Sequence, residues 1–300
     1  MHRVFIHRFR HHAPVLRSMH RMSLKLRDTL QLNSGRHIPL LGFGTWKLND
    51  GQEVKDSVTT ALKVGYRHID TAAIYENERG VGEAIRDSGL PRSQVFVTTK
   101  IWNDAIRQGR AAVIEACHES IERLGLDYVD LLLLHWPIVG KDREAWKALE
   151  QLYHEGKARS IGVSNYLSHH LDALLKSGVS VRPMVNQIEF HPYLLQPALA
   201  AACRKQGIVR AAWSPLMQGK VNDVPEIVEI ARQHGKTPAQ IVLHWDLQHQ
   251  VVTLPRSSNP RRIAENAALF DFELSPADIA VLDQLDRRQR FGPDPEHFDF

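Results

Sequence analysis

Four side chains of complementary acid and base character follow short apolar stretches of the chain. Asp70 ends YRHID, Tyr75 stands five positions later, Lys100 follows VFVTT and His135 follows LLLL. A tyrosine hydroxyl has an unperturbed pKa of about 10. A neighbouring lysine stabilises the phenolate, an aspartate keeps that lysine charged, and a histidine orients a carbonyl or shares in the proton relay. Together these groups are suited to protonate a carbonyl oxygen while another group delivers a hydride.

The elements that must position these residues form a repeating pattern. Amphipathic stretches end at glycines typical of helix C-termini, and an apolar stretch typical of a strand follows each. The glycines are Gly65, Gly89, Gly125, Gly156, Gly178, Gly207 and Gly235. The eight predicted strands lie in IPLLGFGT, YRHID, VFVTTK, YVDLLLLH, ARSIGVS, PMVNQIE, VRAAWS and VVTLP. Strands that alternate with helices and are apolar on both faces indicate a parallel sheet covered on both sides.

An α/β fold of the (β/α)8 TIM barrel type accounts best for this pattern. Such a barrel takes roughly 250 residues, and the chain has 300. The main rival, an open doubly wound sheet that binds nucleotide, needs a G-x-G-x-x-G turn after its first strand, and the nearest stretch, GVGEAI, lacks the third glycine. Strand ends meet at one rim of a barrel, so Asp70, Lys100 and His135 are expected to converge there. TLQLNSGRHIPL predicts an N-terminal β-hairpin that caps the barrel bottom.

Charge is distributed unevenly along the chain. Lys and Arg number 38 against 34 Asp and Glu, but the first 27 residues hold seven Lys or Arg and no acid, so the excess belongs to the N-terminus. Residues 1–22 are therefore set apart as a basic tail, expected to be disordered or to precede the native start, with Met19 and Met22 as candidate starts. A transit-like segment and a tail for nucleic acid or membrane surfaces are the alternatives. Residues 23–300 are predicted to form a single barrel domain.

Other composition features narrow the class of protein. No stretch approaches the roughly 18 consecutive apolar residues of a membrane span. Cys117 and Cys203 lack ligand partners at suitable spacing and are interpreted as buried thiols, which favours a reducing, cytoplasmic setting. The pairs His11–His12 and His169–His170 have no Cys or carboxylate at ligand spacing, so we interpret them as solvated loop histidines and predict no metal site.

Two further features bear on the site. YHEGK, from Tyr153 to Lys157, matches the Y-x-x-x-K pair of short-chain dehydrogenases, but Gly156 interrupts its helix and the glycine-rich cofactor turn is missing. Trp46, Trp102 and Trp136 each fall just beyond a predicted strand end. Tryptophans are often core residues, but three at one rim favour an apolar wall around a substrate carbonyl.

The chain resembles the aldo-keto reductases over residues 24–300. The motifs that carry the resemblance are GYRHIDTAAIYENERGVGEAI, VFVTTKIWN, DYVDLLLLHWP, SIGVSNY, NQIEFHP, WSPLMQG and LPRSSNPRRIAENAALFDFELS, in that order. The ending RRQRFGPDPEHF and the tryptophan of WSPL are most similar to the bacterial 2,5-diketo-D-gluconate reductase group within the family. The resemblance implies a (β/α)8 fold and the catalytic tetrad Asp70, Tyr75, Lys100 and His135.

The resemblance also implies a cofactor site for NADPH. Ser164, Asn165 and Gln187 would hold the nicotinamide carboxamide, Trp213 would stack on the ring, and Ser214 and Leu216 would line the pyrophosphate path. Arg256, Ser257 and Arg262 would meet the adenosine 2′-phosphate, with Glu265 and Asn266 near the adenine. This phosphate cluster heads a predicted helix whose N-terminal amides are expected to favour an anion.

The implied function is NADPH-dependent reduction of aldehydes and ketones, with Tyr75 as general acid. Expected substrates are small dicarbonyls or keto-sugar acids such as methylglyoxal and 2,5-diketo-D-gluconate, and a monomer without nucleic-acid or membrane partners is expected. The alternative is a nicotinamide-binding sensor or regulatory subunit of the same fold. An intact tetrad favours the enzyme, because a sensor has no need to retain Tyr75 or His135.

Overall fold

The computed structural model of the protein describes residues 24–298, and it contains a small hairpin and one large parallel sheet. The strands are β1 (Thr29–Gln31), β2 (His37–Pro39), β3 (Phe43–Gly44), β4 (His68–Asp70), β5 (Phe96–Ile101), β6 (Leu131–Leu134), β7 (Ile161–Ser164), β8 (Val185–Glu189), β9 (Val209–Trp213) and β10 (Val252–Thr253). Strands β3 to β10 pair in chain order, and every neighbouring pair is parallel.

Backbone hydrogen bonds between the segment that leads into β3 and the last strand, β10, close the sheet into a barrel. The Gly42 N–H donates to the Thr253 carbonyl at 2.9 Å, and the Thr253 N–H donates to the Leu40 carbonyl at 2.9 Å. A parallel bridge joins Leu41 to Thr253. Because both faces of the sheet are covered, a strand such as β6 is buried along its whole length. The predicted (β/α)8 barrel is confirmed.

Helices connect and cover the strands. They are α1 (Gln52–Val64), α2 (Glu78–Asp87), α3 (Asn103–Gln108), α4 (Arg110–Leu124), α5 (Asp142–His154), α6 (Ser168–Lys176), α7 (Pro197–Gln206), α8 (Pro225–His234), α9 (Pro238–Gln248), α10 (Pro260–Glu265) and α11 (Pro276–Asp283). Gly125 ends α4 in the left-handed conformation at φ 61°, which favours glycine. Position 82 requires glycine for a different reason, since a Cβ there would lie 1.8 Å from the Leu124 carbonyl oxygen. Helices α2 and α4 can therefore pack this closely only because residue 82 has no side chain.

The N-terminal hairpin lies against the N-terminal ends of the barrel strands. β1 and β2 pair antiparallel, and the Asn33 side chain in their turn donates to the Pro183 carbonyl at 2.9 Å, just before β8 begins. Ile38 of the hairpin is fully buried in the core. The hairpin thus caps the barrel bottom, as predicted, and leaves the opposite rim to the polar residues.

Several other predictions have a structural outcome. The predicted tail 1–22, with His11–His12, lies outside the described residues. Both cysteines are buried free thiols, and burial raises the pKa of Cys117 to about 12. Helix α5 ends at His154, so Tyr153 and Lys157 do not share one helix. Within residues 24–298, no helix has the length and apolar character needed to cross a membrane.

Candidate active site

An ion pair and a phenol form the centre of the site. Asp70 ends β4, Lys100 lies near the end of β5, and parallel pairing of these strands brings the two side chains together. Lys100 Nζ lies 2.6 Å from Asp70 Oδ1, 2.9 Å from the Thr71 carbonyl oxygen and 3.4 Å from the Tyr75 hydroxyl. Lys100 is fully buried, Asp70 is 4% exposed, and Tyr75 is half-buried in the loop above them. The lysine therefore lies between a carboxylate and a phenol, with its charge compensated on one side only.

Burial and charge oppose each other in this group. Burial raises the pKa of Tyr75 above its ordinary value, although the ammonium of Lys100 acts to lower it. Burial lowers the pKa of Lys100, but Asp70 and Tyr75 together outweigh it, and the net pKa is raised. At neutral pH the site therefore holds a protonated phenol beside a charged ammonium. The lysine does not ionise the tyrosine in advance, but it stabilises the phenolate once the proton leaves.

His135, the fourth residue of the predicted tetrad, is neutral. Burial first, and then the charge of Lys100, holds the pKa of His135 well below its usual range. Its ring lies 5.8 Å from that of Tyr75 and 5.2 Å from that of Trp102, centroid to centroid, in edge-to-face arrangements. A neutral imidazole carries one N–H, so His135 is equipped to donate a hydrogen bond rather than to act as a cation.

The residues predicted to hold a carboxamide lie beside the tetrad. Asn165 donates from Nδ2 to the His135 carbonyl at 3.0 Å and accepts at Oδ1 from Trp213 Nε1 at 2.8 Å. The Ser164 hydroxyl donates to the Gln187 carbonyl at 3.0 Å, and Gln187 Nε2 donates to Asp70 Oδ2 at 2.6 Å. This network couples β7, β8 and β9 to Asp70.

Strained backbone occurs at the same rim. Asn165 and Ser214 follow the ends of β7 and β9 with φ of 65° and 51°. The left-handed region costs most residues free energy, and asparagine tolerates it best after glycine. Strain of this kind persists where the surroundings fix the conformation, which is common at functional sites. Leu216, half-buried, follows shortly and leads into the 3₁₀ segment Met217–Asp223.

The predicted phosphate cluster lies just beyond β10. Ser257 and Asn266 are buried, Glu265 is half-buried, and Arg262 is exposed. Arg256 donates from Nε to the Trp46 carbonyl at 3.1 Å and from Nη2 to that of Lys47, so part of its guanidinium already ties two loops together. No hydrogen bond or ion pair within residues 24–298 engages the Arg262 guanidinium.

One expectation about this cluster is wrong. The N-terminal amides of the helix after β10, now α10, were expected to attract an anion. Asn259 Oδ1 instead accepts from the amides of Arg261 and Arg262 at 2.9 and 3.3 Å. An asparagine N-cap satisfies the donors that an anion would otherwise use. The amides of Arg261 and Arg262 are therefore already engaged, and the expected attraction for a phosphate passes to the side chains of the cluster.

Two of the three predicted wall tryptophans come together, with a partner that sequence reasoning missed. The ring of Phe298 stacks on Trp136 at 3.6 Å between centroids and 6° between planes, and it meets Trp102 edge-on at 6.3 Å. Trp46 is 44% exposed and lies under the ammonium of Lys47, 4.2 Å from its ring centroid. No aromatic contact among the described residues joins Trp46 to the other two. In the sequence, Phe298 is only an aromatic residue near the chain end, and nothing there indicates which residues it contacts.

The histidine pair of α6 corrects another interpretation. His170 is 8% exposed, not solvated, and its Nδ1 accepts the Leu167 N–H at 3.2 Å at the start of the helix. Burial, above all, lowers the pKa of His170 to about 4. Glu296 of the C-terminal segment lies 3.6 Å from His169 Nε2, a carboxylate that spacing along the chain could not reveal. His169, His170 and Glu296 form the one metal-compatible group among the described residues.

Comparison with known proteins identifies the family. A model of the aldo/keto reductase family matches residues 40–287. The chain belongs to the aldo/keto reductase family. This aldo/keto reductase is 50% identical over 279 residues to the glyoxal reductase of Bacillus subtilis (strain 168), with 93% of this chain and 100% of that protein covered. It is 44% identical over 273 residues to the methylglyoxal reductase DkgA of Salmonella typhimurium, covering 90% of this chain and 97% of that protein.

The solved structures agree with this assignment. An aldo-keto reductase of Bombyx mori in complex with NADP has a TM-score of 0.84 and 35% identity, covering 91% of this chain and 97% of that one. Family membership makes this protein an oxidoreductase of the carbonyl-reducing class. Similarity to the 2,5-diketo-D-gluconate reductase group in particular stays a prediction.

Proposed function

We propose that this aldo/keto reductase reduces small aldehydes and ketones with NADPH, and that Tyr75 donates the proton. The observation that carries the proposal is the buried contact series from Asp70 through Lys100 to the Tyr75 hydroxyl, 2.6 Å and then 3.4 Å long. A buried ion pair of this kind is costly to maintain. Its position beneath a phenol at the barrel rim gives it a chemical reason to exist.

The chain's own residues would manage the proton. When bound, NADPH supplies a hydride from its nicotinamide ring to the carbonyl carbon. The Tyr75 hydroxyl gives its proton to the carbonyl oxygen, and Lys100 stabilises the phenolate that is left. Asp70 keeps Lys100 charged, and neutral His135 donates a hydrogen bond that orients the carbonyl. The phenolate then regains a proton from water, and the net change is one hydride and one proton added to the C=O bond.

The chemistry of the rim fits a nicotinamide cofactor. Ser164, Asn165 and Gln187 supply hydroxyl and amide groups, which match the donors and acceptors of a carboxamide. Trp213 supplies an aromatic face, and its indole N–H is fixed by Asn165. Family membership and the NADP complex of the Bombyx mori protein support the same cofactor.

A preference for NADPH over NADH follows from the cations beyond β10. Arg262 is exposed, and no partner within residues 24–298 neutralises it, which leaves its guanidinium available to a 2′-phosphate beside Ser257. A guanidinium bonds phosphate strongly because it offers two parallel N–H donors. The bare ribose hydroxyl of NADH would leave that charge without a partner.

Small dicarbonyls are the proposed substrate class. Trp102, Trp136 and Phe298 bring three aromatic rings together near His135, which favours a compact, partly apolar substrate. Relatives described as glyoxal and methylglyoxal reductases support the same class. Keto-sugar acids such as 2,5-diketo-D-gluconate are a second, bulkier candidate.

A substrate panel tests the proposal. Purified protein would be assayed with NADPH against glyoxal, methylglyoxal, 2,5-diketo-D-gluconate and an aromatic aldehyde, with NADPH oxidation followed optically and the alcohols identified by mass spectrometry. We expect kcat/KM to be highest for the small dicarbonyls. Turnover with none of the four carbonyls would contradict the proposed reaction, and a clear preference for the sugar acid would overturn the substrate class.

A further inference from the structure

A buried carboxylate outside the tetrad holds the C-terminal segment, residues 287–298, against the barrel rim. Glu189 ends β8 and is 1% exposed. Its Oε1 accepts the backbone N–H groups of Phe291 at 2.6 Å and Gly292 at 3.2 Å, and His191 Nε2 lies 3.0 Å away. Carboxylates bind backbone N–H groups more strongly than neutral acceptors do. Two consecutive amides of the segment therefore depend on one side chain.

The charge of Glu189 is compensated from the same segment. Arg290 Nη1 lies 3.8 Å from Glu189 Oε2, and Arg290 also contacts Asp294 at 3.5 Å and Gln196 at 3.4 Å. Oε2 makes no hydrogen bond among the described residues. Detaching the segment would remove the Arg290 guanidinium and both backbone N–H donors, and His191 would be the remaining partner of the Glu189 carboxylate among the described residues. A buried carboxylate that loses most of its compensation is unfavourable. The carboxylate and the segment thus stabilise each other.

Beyond this anchor, the segment contacts both the proposed cofactor side of the site, at Trp213, and the proposed substrate side, at Trp136. A Cβ built on Gly292 would lie 2.3 Å from Cη2 of Trp213, so the Gly292 backbone lies directly against the proposed nicotinamide platform. Six residues further on, Phe298 stacks on Trp136. Gln218, from the segment after β9, donates to the Phe291 carbonyl at 3.0 Å.

We propose that Glu189 is a positioning residue that sets substrate size selectivity, because it fixes the segment whose Gly292 supports Trp213 and whose Phe298 covers Trp136. The selectivity rests on the proposed function, whereas the anchoring does not. Loss of the anchor would let Phe298 leave Trp136. A small dicarbonyl would then lose an apolar wall, and a bulky aldehyde would gain room.

Limited proteolysis tests the anchor without reference to activity. Trypsin can cleave after Arg287, Arg288 and Arg290, all within the segment. Mass spectrometry would measure how fast the C-terminal fragment is released. In Glu189→Ala we expect this release to be about ten-fold faster than in wild type, because cleavage depends on local opening of the segment. His297→Asn, an exposed change in the same segment that leaves the Glu189 contacts intact, is the control and should match wild type. Equal rates in Glu189→Ala and wild type would overturn the anchor.

Steady-state kinetics test the selectivity. For Glu189→Ala we expect KM for methylglyoxal to rise roughly five-fold with kcat nearly unchanged, and KM for an aromatic aldehyde to fall. Glu189→Gln retains an acceptor oxygen, so its KM values should lie between those of wild type and those of Glu189→Ala. If the two KM values rise together, Glu189 is a purely structural residue and the proposal is wrong.

A second variant tests the proposal if Glu189→Ala does not fold. Gly292→Ala keeps Glu189 and pushes a methyl group against Trp213, so it should displace the segment and reproduce the opposite KM changes. Unchanged KM values in a folded Gly292→Ala protein would contradict the proposal. If wild type reduces no carbonyl, the proposed function fails, while the tryptic comparison still decides whether Glu189 anchors the segment.

Discussion

Two opposed effects determine how the Tyr75 hydroxyl behaves. Burial raises its pKa, and the ammonium of Lys100, 3.4 Å away, acts against that rise. The balance keeps the acid form present at neutral pH, and in the proposed reaction the lysine would lower the cost of forming a phenolate. Sequence reasoning correctly paired the two residues, but it could not weigh burial against charge, because burial depends on the packed barrel.

Removal of Lys100 tests separately its proposed role in catalysis and its contribution to stability. Lys100→Met leaves Asp70 charged and buried without its partner, so we expect unfolding free energy to fall by about 3–5 kcal/mol and turnover to be nearly abolished. Adding Asp70→Asn removes the uncompensated charge. The double variant should regain most of the stability in chemical denaturation, but not the activity. Recovery of activity in the double variant would show that Lys100 is structural only.

Arg262 provides the sharpest test of cofactor choice at the residue scale. We expect Arg262→Ala to weaken NADPH binding by about 1–3 kcal/mol, the range for a hydrogen bond to a charged group, and to leave NADH binding nearly unchanged. Fluorescence titration with each cofactor measures both affinities. Arg261→Ala, the exposed neighbour on α10, is the matched control. Equal weakening for the two cofactors would mean that Arg262 belongs to an ordinary basic surface.

At the scale of elements, the strands position the site and the segments beyond them refine it. Parallel pairing of β4 with β5 and β7 with β8 follows from chain order, so the meeting of Asp70, Lys100, Ser164 and Gln187 was predictable. An asparagine before a proline is a sequence signal for the Asn259 cap on α10, but the predicted attraction of the helix amides for an anion did not take this cap into account. Asn259 satisfies those amides locally, which no barrel-level argument considers.

Strand β4 also carries a titratable residue inside the core. Burial, chiefly, lowers the pKa of His68 to about 4, and His68 Nε2 lies 2.9 Å from the Thr98 hydroxyl. Between the ordinary histidine pKa of about 6.5 and that lower value, the unfolded chain binds a proton that folded His68 does not. Stability should therefore fall as the pH drops through this range.

The expected contribution of His68 is about 3 kcal/mol between pH 7 and 4. Denaturant unfolding at several pH values would compare wild type with His68→Asn, whose dependence on pH should be shallower by that amount. His118→Asn, which changes an exposed histidine of α4, should keep the wild-type slope. Parallel curves for His68→Asn and wild type would show that His68 is not the group that titrates.

At the scale of the whole molecule, the closed barrel gathers residues that are far apart in sequence. The barrel and the tetrad were predictable because strand periodicity and the order of elements determine which residues reach the rim. The contacts of the C-terminal segment were not, because its irregular backbone carries no periodic signal. Phe298 on Trp136, Glu296 beside His169 and Gly292 on Trp213 are long-range contacts set only by the final packing.

Replacement of Tyr75 by phenylalanine tests the central claim most directly. The change removes the hydroxyl and keeps the ring that faces His135. In single-turnover experiments with methylglyoxal, we predict that Tyr75→Phe slows NADPH oxidation by about 10²-fold or more, as expected for loss of a general acid, with NADPH affinity unchanged. Tyr153→Phe, in the discarded Y-x-x-x-K motif, should react at the wild-type rate. A Tyr75→Phe protein that keeps more than about a tenth of the wild-type rate would contradict the assignment of Tyr75 as the proton donor.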